Sequence, residues 1–141
     1  MARYLGIDFG DARIGIALSD PLGMFASPLC SLENRGKKVI GEILTLIRDN
    51  QVAKVVIGMP FELDGTMGPQ AEKVDRFALK LAKRLPNGIE LHAHDERLST
   101  VEAGRALRGT KLKNSDKHAA LDRMSAAIIL EGFMAKERGS L

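Results

Sequence analysis

The stretch Tyr4-Leu5-Gly6-Ile7-Asp8-Phe9-Gly10-Asp11-Ala12-Arg13-Ile14-Gly15-Ile16-Ala17-Leu18 decides how the chain begins to fold. Two apolar-rich segments, Tyr4 to Phe9 and Arg13 to Leu18, flank Gly10-Asp11-Ala12, which reads as an antiparallel hairpin with a short glycine-containing turn. Asp8 falls inside the first strand, where aspartate is a poor strand former and a buried charge is costly unless paired or metal-bound. Its flanking glycines, Gly6 and Gly10, admit another backbone or a ligand, which suits a site more than a core. The alternative is a turn aspartate displaced one place into the strand.

Beyond the hairpin, Asp20-Pro21-Leu22-Gly23 predicts a turn into a third strand over Met24 to Ser31. Val39, Ile40, Ile43, Leu44 and Ile47 recur at helical spacing and predict an amphipathic helix between Lys37 and Asn50. Val52 to Met59 is short and β-branched, a buried strand that Pro60 ends. Gly65, Gly68 and Pro69 mark a loop, and Gln70 to Leu85 reads as a second helix stopped by Pro86-Asn87-Gly88. Ile89 to Asp95 is a fifth strand. Ser99, with Glu102 at the capping-box position, opens a third helix ending near Gly109. A basic loop leads to a final helix from Ser115 or Lys117 to Lys136, with Leu121, Met124 and Ile128 turned to the sheet. This order predicts a mixed α/β sheet, parallel in its second half, and 141 residues suit a single domain spanning 1–141.

Aromatics are only 4% of the chain, so the core must rest on Leu, Ile, Val, Ala and Met. Cys30 stands alone, which excludes an intramolecular disulfide and a cysteine zinc cluster and fits a reducing compartment. No signal core precedes the first strand and no run approaches membrane-spanning length, so a cytoplasmic protein without a membrane partner is expected. Of the net charge of +3, the segment Arg97 to Arg123 carries +4, from seven basic residues against three acids, and the remainder sums to −1. Such a segment reads as a phosphate-binding face or as a solvated polar loop.

Two further acidic positions stand out. Asp95-Glu96 closes the fifth strand at the carboxyl edge of the sheet, where open α/β sheets often place ligands; the bland reading is a surface salt bridge with Arg97 beside it. Asp122 lies early in the last helix near its packed stripe, and small neighbours at Ser125 and Ala126 would let that helix approach Asp8; alternatively Asp122 only complements the helix dipole. Three converging carboxylates would repel one another, whereas hard divalent cations prefer such oxygens, so Mg²⁺ or Mn²⁺ is the natural occupant. Two such ions about 4 Å apart serve phosphodiester hydrolysis, with Lys and Arg holding the phosphates.

On these residues the sequence resembles the YqgF family, also called RuvX, whose members look like small relatives of the RuvC Holliday junction resolvases. Four segments carry the likeness: Gly6-Ile7-Asp8-Phe9-Gly10 with Arg13-Ile14-Gly15-Ile16-Ala17, Val55-Val56-Ile57-Gly58-Met59-Pro60 with Asp64-Gly65, Asp95-Glu96-Arg97-Leu98-Ser99-Thr100, and Asp122-Arg123-Met124-Ser125-Ala126-Ala127. The resemblance implies an RNase H-like mixed five-stranded sheet, three antiparallel strands and then parallel ones, with helices on both faces. It implies nuclease action in 16S ribosomal RNA maturation, or junction resolution on branched DNA. Asp8, Glu96 and Asp122 become the catalytic, metal-binding acids, with Asp95 able to replace Glu96. Arg13 and Arg97 become phosphate contacts, joined by Arg105, Arg108, Lys111, Lys113 and Lys117 of the basic segment. The broader resolvases carry a glutamate near the end of the fourth strand, where this chain has Gly58-Met59-Pro60; Glu96, Glu62 or Asp64 must then supply that ligand.

Two other classes compete with a nuclease. Actin-like ATPases and sugar kinases begin with a similar glycine-flanked aspartate hairpin, but they normally use two lobes and a second glycine-rich phosphate segment, which this chain lacks. A non-catalytic ribosome-associated module would use the basic face alone. A resolvase would need two sites to cut two strands, which implies a homodimer.

Overall fold

The computed structural model describes residues 3–96 and 114–139, with side chains of the last helix described from residue 120 onward. The elements are β1 (Arg3–Phe9), β2 (Arg13–Ser19), β3 (Ala26–Glu33), α1 (Lys37–Asp49), β4 (Val52–Met59), α2 (Pro69–Arg84), β5 (Glu90–Asp95) and α3 (Asn114–Glu137). The helix expected from Ser99 to Gly109 lies outside the described residues.

The strands form one sheet in the order β3-β2-β1-β4-β5. β1–β2 and β2–β3 are antiparallel, and β1–β4 and β4–β5 are parallel. Alternation along β1 assigns the two faces. Leu5 and Ile7 pair with Val55 and Ile57 of β4 and pack with Ile14 and Ile16 beneath α1 and α2. Val39, Ile40, Ile43 and Ile47 of α1 and Ala71, Val74, Phe77 and Leu81 of α2 complete this core. Each fully buried Ile or Leu there contributes about 1.5–3 kcal/mol relative to exposure.

Gly6 and Asp8 face the other side, opposite Ala17 and Gly15 of β2. That side is covered by α3, whose Ala126, Ile129, Leu130 and Met134 pack on Ala17 and Val56. A Cβ at Gly15 would lie 2.0 Å from the Asp122 carbonyl oxygen, so the helix backbone meets the sheet where a side chain is missing. This close approach corrects the expectation for Leu121, Met124 and Ile128 and agrees with that for Ser125 and Ala126. Leu121, Met124 and Ile128 are only half-buried, while the stripe through Ser125, Ala126, Ile129 and Leu130 is buried, because small residues over the glycines allow tighter contact than bulky ones. At its far end α3 is held by Glu137, which accepts hydrogen bonds from the Tyr4 hydroxyl and from Lys54 Nζ, the latter at 2.6 Å.

One boundary also moves. β3 runs from Ala26 to Glu33 rather than from Met24 to Ser31. Asp20 Oδ1 accepts the amides of Met24 and Phe25, both at 2.8 Å, and this turn consumes the first two expected strand residues.

Candidate active site

Asp8 lies one residue before the end of β1, half-buried, with Gly15 as its antiparallel partner. Because α3 crosses above Gly15, Asp122 is carried to the same face. Its Oδ2 accepts a hydrogen bond from Arg13 Nε at 2.8 Å, so the guanidinium of β2 orients the carboxylate of α3. Among the described residues, the bond from Nε to Asp122 is the one hydrogen bond that the Arg13 guanidinium makes.

Glu96 reaches the site from the next strand but one. Met59 of β4 is the parallel partner of Asp95, and the Glu96 amide donates to the Met59 carbonyl at 3.2 Å, so β5 ends level with β4. The Glu96 side chain then lies over Gly58: a Cβ there would come within 2.2 Å of Glu96 Oε2 and 2.5 Å of Ile129 Cδ1. Oε2 is buried and has no hydrogen-bond partner among the described residues. A buried carboxylate oxygen without a donor is costly, which leaves it suited to a proton or a cation.

The electrostatics tie the acids together. Burial, then the charge of Glu96, then that of Asp122 push the Asp8 carboxyl from an ordinary 3.8 up to about 8. Burial and then Asp95 push Glu96 up to about 7. The neighbours that act on Asp8 are thus Glu96 and Asp122. The other candidates for the second acid are exposed. Glu62 is exposed and packs against Gly68 in the loop before α2, while Asp64 Oδ1 accepts from the amide and hydroxyl of Thr66, at 3.0 and 2.7 Å. Asp95 is exposed.

A hard divalent cation fits Asp8 and Glu96 on donor chemistry: both offer only oxygen, both are pushed toward protonation, and Oε2 of Glu96 lacks a donor. Among the described residues no three Asp, Glu, His or Cys side chains are gathered into a ready-made ion cage; Asp122 directs an oxygen at Arg13 instead. Of the expected phosphate contacts, Arg97, Arg105, Arg108, Lys111 and Lys113 and the side chain of Lys117 lie outside the described residues. Sequence reasoning missed the part played by Gly58 and Gly15, whose value is the space they leave. The signal was glycine within two otherwise β-branched or apolar strands.

Residues 2–136 match the profile of the RuvX family, described as "Holliday junction resolvase". A protein of Roseiflexus sp. (strain RS-1) called "Putative pre-16S rRNA nuclease" is 40% identical over 137 residues, 96% of each chain. One of the same name from Clostridioides difficile (strain 630) is 40% identical over 133 residues, 94% of this chain and 93% of the relative. Among solved structures, T. thermophilus RuvC in complex with a Holliday junction substrate superposes with a TM-score of 0.55 at 14% identity, covering 98% of this chain and 97% of that one. That likeness concerns the fold, which is RNase H-like. No described helix is long and apolar enough to cross a membrane.

Proposed function

The chain belongs to the RuvX family, and from that premise we propose that residues 1–141 act as one RNase H-like domain, a cytoplasmic endonuclease that hydrolyses phosphodiester bonds in the precursor of 16S ribosomal RNA during 5′-end maturation. The observation that carries this reading is a pair of half-buried carboxyls at the carboxyl edge of the sheet, Asp8 raised to about 8 by burial and by Glu96, and Glu96 raised to about 7 by burial and by Asp95. Mg²⁺ or Mn²⁺, as one ion or a pair, held by Asp8, Glu96 and Asp122, would polarise the phosphoryl oxygen and acidify the attacking water.

The chain's own residues do the rest. Asp8 and Glu96 present carboxylate oxygens from two strand ends that the β1–β4–β5 pairing keeps level. Arg13 orients Asp122 through Nε and offers its outer nitrogens to the substrate backbone. Ile129, packed beside Gly58, keeps water away from the inner side of Glu96. The basic residues Arg97, Arg105, Arg108, Lys111, Lys113 and Lys117 would grip flanking phosphates, so shape governs recognition more than base sequence.

The family's description also favours a second substrate, a four-way DNA junction, which would require two copies of the chain to cut two strands. Wild type and Asp8→Asn are compared on a ribosomal RNA precursor and on such a junction, with Mn²⁺ or EDTA. Cleavage of the RNA that needs both Mn²⁺ and Asp8 is expected. Absence of cleavage of either substrate by the wild type, or equal cleavage by the variant, would remove the nuclease reading.

A further inference from the structure

Phe9 follows Asp8 on β1 and therefore faces the opposite side of the sheet. There it meets Phe77 of α2, with ring centroids 4.8 Å apart, and the two rings form the floor of a cavity of about 250 Å³. Four cations line its rim: Lys37 at the start of α1, and Lys73, Arg76 and Lys80 of α2. The three on α2 lie at helical spacing and so share one face of that helix. Lys73 has Asp11 at 3.4 Å, but no carboxylate lies within ion-pair distance of Lys37, Arg76 or Lys80 among the described residues. Gly36, the N-cap of α1, also lines the cavity; it supplies no side-chain cap, and the first turn of α1 holds no acid. The positive end of a 13-residue helix thus adds to the same field.

Three cations without a carboxylate partner among the described residues, beside two aromatic rings tilted at 44°, match a ligand that is anionic at one end and aromatic at the other. We propose that this cavity takes one nucleotide of the substrate strand next to the cleaved bond, its phosphate among Lys37, Arg76 and Lys80 and its base on Phe9 and Phe77. At about 250 Å³ the cavity falls below the roughly 300–1,000 Å³ of clefts that enclose drug-sized ligands, so it suits a single base. A strand is favoured over a free nucleotide because the floor begins at the residue adjoining Asp8. Phe9 is the last residue of β1, so a nucleic-acid chain passing that end of the strand meets the acids on one face of the sheet and the basic cavity on the other. The assignment rests on the nuclease reading of the Asp8 site.

Binding is measured on the full chain in EDTA, so that cleavage is not needed. The probes are a fluorescent RNA hairpin with a short single-stranded tail, the same hairpin blunt-ended, and free AMP as competitor. Wild type is expected to prefer the tailed hairpin by about tenfold, the scale of one base on an aromatic floor. Arg76→Ala/Lys80→Ala should abolish the preference and lower the slope of log K against log salt by about 0.7, as for one single-strand phosphate contact. Both side chains are exposed, so the thermal midpoint should not move. Asp8→Asn should keep the preference, which separates a failure of the cavity from a failure of the cleavage site. Equal binding of both hairpins by the wild type, or an undiminished preference in the double variant, overturns the proposal. AMP binding at the cavity without any tail preference also overturns it, assigning the cavity to a free nucleotide.

Discussion

Arg13 Nε and Asp122 Oδ2 lie 2.8 Å apart, joining β2 to a helix residue 109 positions further along the chain. The pair is partly exposed, with side-chain accessibilities of 37% and 22%, so its contribution to stability is modest, about 1 kcal/mol. Its larger effect is to aim Asp122. Arg13→Ala should lower the melting temperature by about 3–5 °C yet reduce cleavage at least tenfold. Arg13→Lys should retain stability but recover activity only in part, since an ammonium cannot hold Asp122 and a phosphate in one planar fork. Thermal melts beside single-turnover cleavage check both.

Stability should fall with rising pH when no cation is supplied. Asp8 and Glu96 have folded-state values of about 8 and about 7 against ordinary values of 3.8 and 4.5. Between those limits the folded protein binds more protons than the unfolded chain, so the stabilising contribution is complete below about pH 4 and is lost as pH rises toward 8. Melting in EDTA from pH 5 to pH 8 should show this decline. Asp8→Asn should flatten most of it, and a decline of equal size in the variant would refute the assignment.

Divalent cations should reverse that loss. At pH 8, Mn²⁺ at one hundred times its dissociation constant should raise stability by about 2.7 kcal/mol if it binds only the folded chain. The shift should vanish in Asp8→Asn and Glu96→Gln and persist in Glu62→Gln, Asp64→Asn and Asp95→Asn. A thermal-shift titration of these variants decides which acid completes the site.

Gly58 and Gly15 should respond differently to the same added methyl group. In Gly58→Ala the new Cβ meets a carboxylate end, Glu96 Oε2 at 2.2 Å, which can swing aside at a cost of about 1–3 kcal/mol while cleavage drops sharply. In Gly15→Ala it meets backbone, the Asp122 carbonyl oxygen at 2.0 Å, so α3 itself must move and the loss of stability should be the larger of the two. Chemical denaturation of both variants, with cleavage assays on Gly58→Ala, tests this ordering.

Much of the architecture was legible in the chain alone. Apolar-rich runs marked β1 and β2, a short β-branched run marked β4, helical periodicity marked α1 and α2, and the misplaced charge at Asp8 pointed to the candidate site, because these signals act over neighbours a few residues apart. The four motifs in order implied the family and with it Asp8, Glu96 and Asp122. Helical spacing turned Leu121, Met124 and Ile128 to the sheet but also put Asp122, Ser125 and Ala126 near the packed stripe of α3; of these only Ser125 and Ala126 are buried, because how the helix lies over Gly6 and Gly15 is set by the sheet beneath it. The cavity cations were unremarkable in sequence, since Glu72 and Asp75 offset Lys73 and Arg76 locally and Lys37 is a helix away. Only the tertiary structure decided that Glu96, from the end of β5, fills the space over Gly58 where the broader resolvases' fourth strand would carry its own acid. That choice depends on strand register and on an absent side chain, and neither is a local property of the sequence.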